Sequence, residues 1–181
     1  MPGNHEFYGN GDVLAYGDSW SREILPNMHY HQNKVVRIDN VDFILSTLWS
    51  HIRPEDEFVV EQGMYDFRQI LYNGRRFTPA DFNAEHEKCL DFIKRSVAES
   101  TAEHIVVVTH HLPTMAVVAP EHKGNLLNSA FATEPSLRNC RMANSTTLKR
   151  YLIIYLSRQS HSVNVIIARE SSPIKSWWLI L

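Results

Sequence analysis

Residues 78–109 constrain the fold more tightly than any other stretch of the sequence. Thr78-Pro79-Ala80-Asp81 carries the marks of a helix start. Thr78 offers a capping oxygen, Pro79 has its φ preset for the first helical position, and Asp81 can return the capping bond and favour the helix dipole. Phe82, Cys89, Ile93 and Val97 then recur at helical spacing, which predicts a helix running to about Ser100. His104-Ile105-Val106-Val107-Val108-Thr109 follows, a short β-branched run of the kind found in buried, parallel strands. Upstream, Val35-Val36-Arg37-Ile38 and Val41-Asp42-Phe43-Ile44-Leu45 read as two strands joined by an Asp39-Asn40 turn. Strand pair, capped helix and buried strand in this order predict an α/β fold. Residues 2–11 read as a loop, and residues 53–74 as an irregular excursion with one short helix. Residues 148–156 and 163–168 are two further candidate elements. There is no internal repeat and no low-complexity segment.

The chain has 181 residues, of which 44% are hydrophobic and 21% charged, enough apolar material for one domain with a core. Two cysteines, Cys89 and Cys140, are too few for a disulfide scaffold. No apolar run approaches the roughly 18 residues of a membrane helix. The first residues lack the basic start and apolar stretch of a signal peptide, which predicts a cytoplasmic protein without membrane contact. A net charge of −2 gives no bulk attraction for nucleic acid.

That near-neutrality conceals a break. Residues 1–134 carry a net charge of −8, and residues 135–181 a net charge of +6 with Glu170 as their one acid. All seven glycines lie at or before Gly124, while the last 47 residues hold eight serines. Tight turns and helix ends usually draw on glycine. The sequence therefore predicts two regions, a folded part over 1–134 and an atypical basic, glycine-free tail over 135–181. The tail reads as out-of-frame sequence or, in the competing reading, as a basic binding arm.

Two short constellations carry chemistry. In Gly3-Asn4-His5-Glu6 an amide oxygen can ligate a divalent metal without adding charge, and the neighbouring imidazole can donate a proton to a leaving oxygen. Thr109-His110-His111-Leu112-Pro113 follows the predicted buried strand directly. Open α/β sheets bind ligands beyond the carboxyl ends of their strands, and a neutral imidazole there is a metal ligand. His29, His51, His86, His104 and His122 read as ordinary surface or core histidines. His29 and His31 share one face of a strand and read as a hydrogen-bonded or solvated pair.

Together these motifs resemble the calcineurin-like metallophosphoesterases. Gly3-Asn4-His5-Glu6 is similar to the family's third signature, and Val106-Val107-Val108-Thr109-His110-His111-Leu112-Pro113 to its later strand and metal-binding loop. Asn27-Met28-His29-Tyr30, Val35-Val36, Val41-Asp42-Phe43-Ile44 and Thr47-Leu48-Trp49 resemble the paired strands of bacterial members. The resemblance covers residues 1–134. It implies part of a four-layer α/β/β/α sandwich and a hydrolase that cleaves phosphate esters with two divalent metal ions such as Mn, Fe or Zn. At the matching positions it implies Asn4 and His110 as ligands of one metal, and His5 beside the scissile phosphate. Glu6 would orient the loop, and His111 would stand behind the ligands or face the substrate.

The family pattern also includes an Asp-x-His and a Gly-Asp-x-x-Asp motif before the Gly-Asn-His-Glu loop, and a Gly-His-x-His motif after the second His loop. None of these occurs in the sequence, and His161 lies in Gln159-Ser160-His161-Ser162, outside any such motif. Two ligands do not hold two ions that each take about four to six. The expectation is thus a fragment. On that expectation its upstream third would be lost through an internal start at Met1, and its frame would be shifted after Glu134. An exposed sheet edge would then favour self-association. The alternative is a non-catalytic remnant or binding module on the same half-fold.

Overall fold

The computed structural model describes residues 1–133 and, beyond them, the backbone of the strands at 150–156, 162–169 and 172–180. The chain opens with a 3-10 turn, Asn4–Phe7, where the sequence predicted only loop, and a two-residue strand β1 (Gly11–Asp12). Strands β2 (Trp20–Leu25) and β3 (Met28–Gln32) form an antiparallel hairpin. The predicted hairpin follows as β4 (Lys34–Ile38) and β5 (Val41–Ser46), with Ile38 opposite Val41. Asp39 turns the chain at φ +51°, a left-handed conformation that a short polar side chain tolerates.

Residues 53–76 hold more structure than their sequence suggests. They form α1 (Glu57–Gly63), α2 (Asp66–Gln69), β6 (Ile70–Tyr72) and β7 (Arg75–Arg76). Each element is too short to leave a periodic signature. What fixes them is tertiary: Val60, Phe67 and Ile70 are buried, β6 runs parallel to β1, and the Asp12 carboxylate accepts from the Gly74 N–H at 2.7 Å.

The capped helix forms as predicted, as α3 (Pro79–Glu99). Thr78 Oγ1 accepts from the Asp81 N–H at 3.3 Å, and Asp81 Oδ2 accepts from the Thr78 N–H at 3.0 Å. Arg75 grips the same carboxylate through two bonds of 2.6 and 2.7 Å. The inner face of α3 buries Phe82, His86, Cys89, Leu90, Ile93 and Val97. β8 (His104–Thr109) then lies parallel to β5, with His104 opposite Val41, so the buried strand is parallel as expected.

The sheet continues past the composition break. β9 (Arg150–Leu156) runs parallel to β8, and β10 (Ser162–Arg169) and β11 (Ser172–Ile180) follow antiparallel, giving the order β11-β10-β9-β8-β5-β4. β9 and β10 coincide with the two elements suggested for the tail, whereas β11 was not foreseen. The junction near 135 and the loops of the tail lie outside the described residues, as does His161. The architecture is mixed α/β. No helix among the described residues is long and apolar enough to cross a membrane.

The core centres on Trp49, immediately beyond β5 and fully buried. Its ring meets Phe82 at 5.1 Å, Phe77 at 5.2 Å, His111 at 5.5 Å and Phe7 at 6.1 Å. Residues from the N-terminal turn, from α3 and from the loop after β8 thus converge on one indole, which ties the two motif-bearing loops to a common wall.

Candidate functional site

Thr47, at the end of β5, brings the two motif loops together. Its carbonyl accepts from the His110 and His111 N–H groups at 3.1 and 3.2 Å. Its hydroxyl lies 2.9 Å from the Pro2 carbonyl and equally far from Gln32 Oε1, so a single proton is shared between them. Leu48 then turns the chain at φ +44°, an uncommon conformation for a bulky residue, and sends Trp49 into the core.

The N-terminal turn packs directly against His110. Gly3 has ordinary extended backbone, so its role is one of space. A Cβ at this position would stand 2.5 Å from His110 Cε1 and 2.6 Å from Nδ1, inside any tolerable contact. The Gly3 N–H donates to Glu6 Oε2 at 2.7 Å, which closes the turn. Asn4 is buried between two partners. Its Oδ1 meets His110 Nε2 at 3.0 Å, across 106 positions of sequence. Its Nδ2 donates to Asp66 Oδ1 at 2.7 Å. The carboxyl oxygen fixes which end of the amide is nitrogen, leaving the oxygen toward the imidazole.

Asp66, on α2, is only 1% exposed. Burial pushes its carboxyl above the ordinary carboxylate range, against the lowering effect of the Asn4 amide. Its second oxygen lies 3.5 Å from the Tyr8 hydroxyl, whose own ionisation is pushed up by burial and then by Asp66. The Tyr8 ring in turn lies against His5, with centroids 4.4 Å apart. His5 is exposed, so its imidazole is open to solvent beside the buried Asn4.

His111 stands in different surroundings. It is 2% exposed, with Phe82 edge-on at 5.6 Å and His110 edge-on at 5.0 Å. Neither ring nitrogen has a hydrogen-bond partner among the described residues. Burial, reinforced by His110, pushes its pKa well below the ordinary histidine value, so the ring is neutral at pH 7.

Sequence reasoning named Asn4, His5, Glu6, His110 and His111, and these lie in the two loops that meet here. It missed Asp66 and Tyr8, and gave Thr47 no role. Asp66 sits in the excursion without periodicity, and no spacing rule connects it with a residue 62 positions away. The other histidines go elsewhere. His29 and His31 stack at 5.9 Å, with His31 Nδ1 against Ser21 Oγ at 2.9 Å. His86 is bonded through Nδ1 to the Trp49 carbonyl.

The Asn4 and His110 atoms fit one corner of a metal site. A neutral imidazole nitrogen and an amide oxygen suit a divalent transition ion. Their 3.0 Å separation is that of adjacent ligands on one ion with bonds of about 2.1 Å. Among the described residues, no three His, Cys, Asp or Glu side chains gather as a metal cluster.

The chain is 25% identical to an uncharacterized protein of Acanthamoeba polyphaga mimivirus over an aligned 153 residues, 75% of this chain and 54% of that protein. It therefore spans about half the length of the curated relative it matches. No family profile matches the chain, and no solved structure does.

Proposed function

We propose that the two loops form part of a dinuclear metallophosphoesterase site, and that the protein descends from hydrolases of phosphate esters. The observation that carries this reading is the 3.0 Å meeting of Asn4 Oδ1 and His110 Nε2 from opposite ends of the domain. It brings together the two motifs that resemble the family, beyond the carboxyl end of a parallel strand. The β5–α3–β8 unit would form part of the family's four-layer sandwich.

In this reading Asn4 and His110 would hold one edge of one ion, two of the about four to six ligands that such an ion takes. Bound divalent ions supply charge neutralisation of the phosphate and an activated water. His5, exposed beside Asn4, donates a hydrogen bond or proton to the leaving oxygen. Glu6 closes the turn that carries both. The burial of His111 supports a role behind His110 rather than against substrate.

A second reading, a non-catalytic remnant or binding module, is favoured by the small ligand set. Turnover of an aryl phosphate with added Mn²⁺ separates the two. The phosphoesterase reading expects turnover that is abolished in Asn4→Ala and lowered by about 10²–10⁴ in His5→Ala. A folded chain that neither binds Mn²⁺ nor turns over supports the remnant.

A further inference from the structure

We propose that Asp66 is the positioning residue of this site, fixing through one buried carboxyl the orientation of the Asn4 amide and lying 3.5 Å from the hydroxyl of Tyr8, whose ring is tilted against His5. This rests on the phosphoesterase reading for its consequence, but not for its geometry. An Asn side chain has nearly the same shape when its oxygen and nitrogen exchange places. Only one of the two orientations presents a ligand atom. His110 cannot choose between them, because its Nε2 donates in one tautomer and accepts in the other. A flipped Asn4 could therefore donate to His110 and keep a hydrogen bond of equal quality, while turning an N–H toward the metal position.

The choice is made at the other end of the amide. Asp66 Oδ1 accepts from Asn4 Nδ2 at 2.7 Å, and a flipped amide would set oxygen against oxygen there. Asn4 and Asp66 are 5% and 1% exposed, so the pair presents little surface to solvent. Asp66 Oδ2 lies 3.5 Å from the Tyr8 hydroxyl, and Tyr8 meets His5 at 4.4 Å. One carboxyl thus braces a proposed ligand. Groups that orient metal ligands in this way typically change metal affinity by about 10–100-fold when removed.

The test uses the full chain, labelled with ¹⁵N and free of metal. The Asn4 side-chain amide is assigned by its disappearance in Asn4→Ala. In the parent, the amide proton facing Asp66 is expected downfield and slow to exchange. Asp66→Ala is expected to move it to a solvent-like position and to weaken Mn²⁺ binding about tenfold to a hundredfold. Asp66→Leu, which fills the volume without an acceptor, should move the same resonance upfield as the N–H loses its partner, and weaken Mn²⁺ binding likewise, if the alanine variant fails to fold. Asp66→Asn keeps the shape but can itself turn, so it should recover only part of the shift and affinity. Tyr8→Phe should leave the Asn4 amide in place while changing the His5 resonances. An Asn4 amide unmoved in a folded Asp66→Ala or Asp66→Leu chain overturns the proposal, as does unchanged affinity where the parent binds Mn²⁺. A parent that binds no Mn²⁺ sinks the phosphoesterase reading instead, and the amide shift alone then decides the positioning role.

Discussion

The polar front of the site and the aromatic wall behind it meet between His110 and His111, adjacent in sequence and unlike in the surroundings of their rings. His110 is half-buried and faces Asn4 and, beyond it, Asp66. His111 is enclosed by Trp49 and Phe82, with no hydrogen bond to either ring nitrogen among the described residues. The front rests on a few directional bonds between distant segments, each with one correct geometry. The wall rests on packed rings, which are strong in sum and tolerant in detail. Damage to the wall should therefore appear as lost stability, and damage to the front as lost geometry in a chain that still folds. The largest effect is expected from Trp49→Ala. Removing a fully buried indole between Phe7, Phe77, Phe82 and His111 should cost about 3–5 kcal/mol in denaturant unfolding. A loss below about 1 kcal/mol would mean that the wall is not what holds the two loops.

The front is best broken at Gly3. In Gly3→Ala the added methyl group would overlap the His110 ring, at 2.5 Å from Cε1. Overpacking of this kind costs about 1–3 kcal/mol, less than the loss of Trp49. The imidazole should swing away from Asn4, visible as a change in the His110 ring ¹⁵N shifts and as weaker Mn²⁺ binding. Should Gly3→Ala unfold the chain as completely as Trp49→Ala, front and wall form one unit and the contrast fails.

The wall and the front also differ in how well they could be read from sequence. The capping pair Thr78–Asp81, the α3 repeat and the parallel β8 strand depend on residues within a few positions of one another, and all three appear as expected. The β4–β5 hairpin is equally local. For the front, the sequence names both loops but not what orients them. Asp66 earns its place through one hydrogen bond spanning 62 residues, and Thr47 through bonds to Pro2 and to both histidine N–H groups. Such contacts have no period and no composition. The short elements of residues 53–76 escape for a related reason: each is held by burial against distant partners rather than by its own propensity.

Acid should act mainly on the wall. Burial depresses the pKa of His86, and the Trp49 carbonyl and Glu87 only partly offset this, with His51 and Lys94 adding to the depression. A base with a lowered folded-state pKa is protonated first in the unfolded chain. Its contribution is complete above the ordinary value of 6.5 and is lost as the pH falls from there toward the folded-state value. His111, depressed further, has the same sign. Urea midpoints should therefore be flat above about pH 7.5 and fall toward pH 5. His86→Gln, which keeps a donor for the Trp49 carbonyl, should flatten part of that slope. The raised Asp66 carboxyl has the opposite sign, so the slope is read in Asp66→Leu, where a midpoint that rises on acidification contradicts the neutral burial of both rings.

The smallest expected effect tests whether strain in the wall leaks to the front. Thr78→Ala removes the N-cap of α3 and the hydroxyl that donates to Asp81 at 2.6 Å. Caps of this type contribute about 1 kcal/mol. Arg75 still holds Asp81 through two bonds, so the helix should start one residue less firmly rather than unwind. Phe82 and His86, within its first two turns, would loosen slightly against Trp49. The Asn4 side-chain amide touches none of these groups and should keep its resonance position. If that resonance shifts as far as it does in Asp66→Ala, the front is being held through the helix, and the separation between directional front and packed wall is wrong.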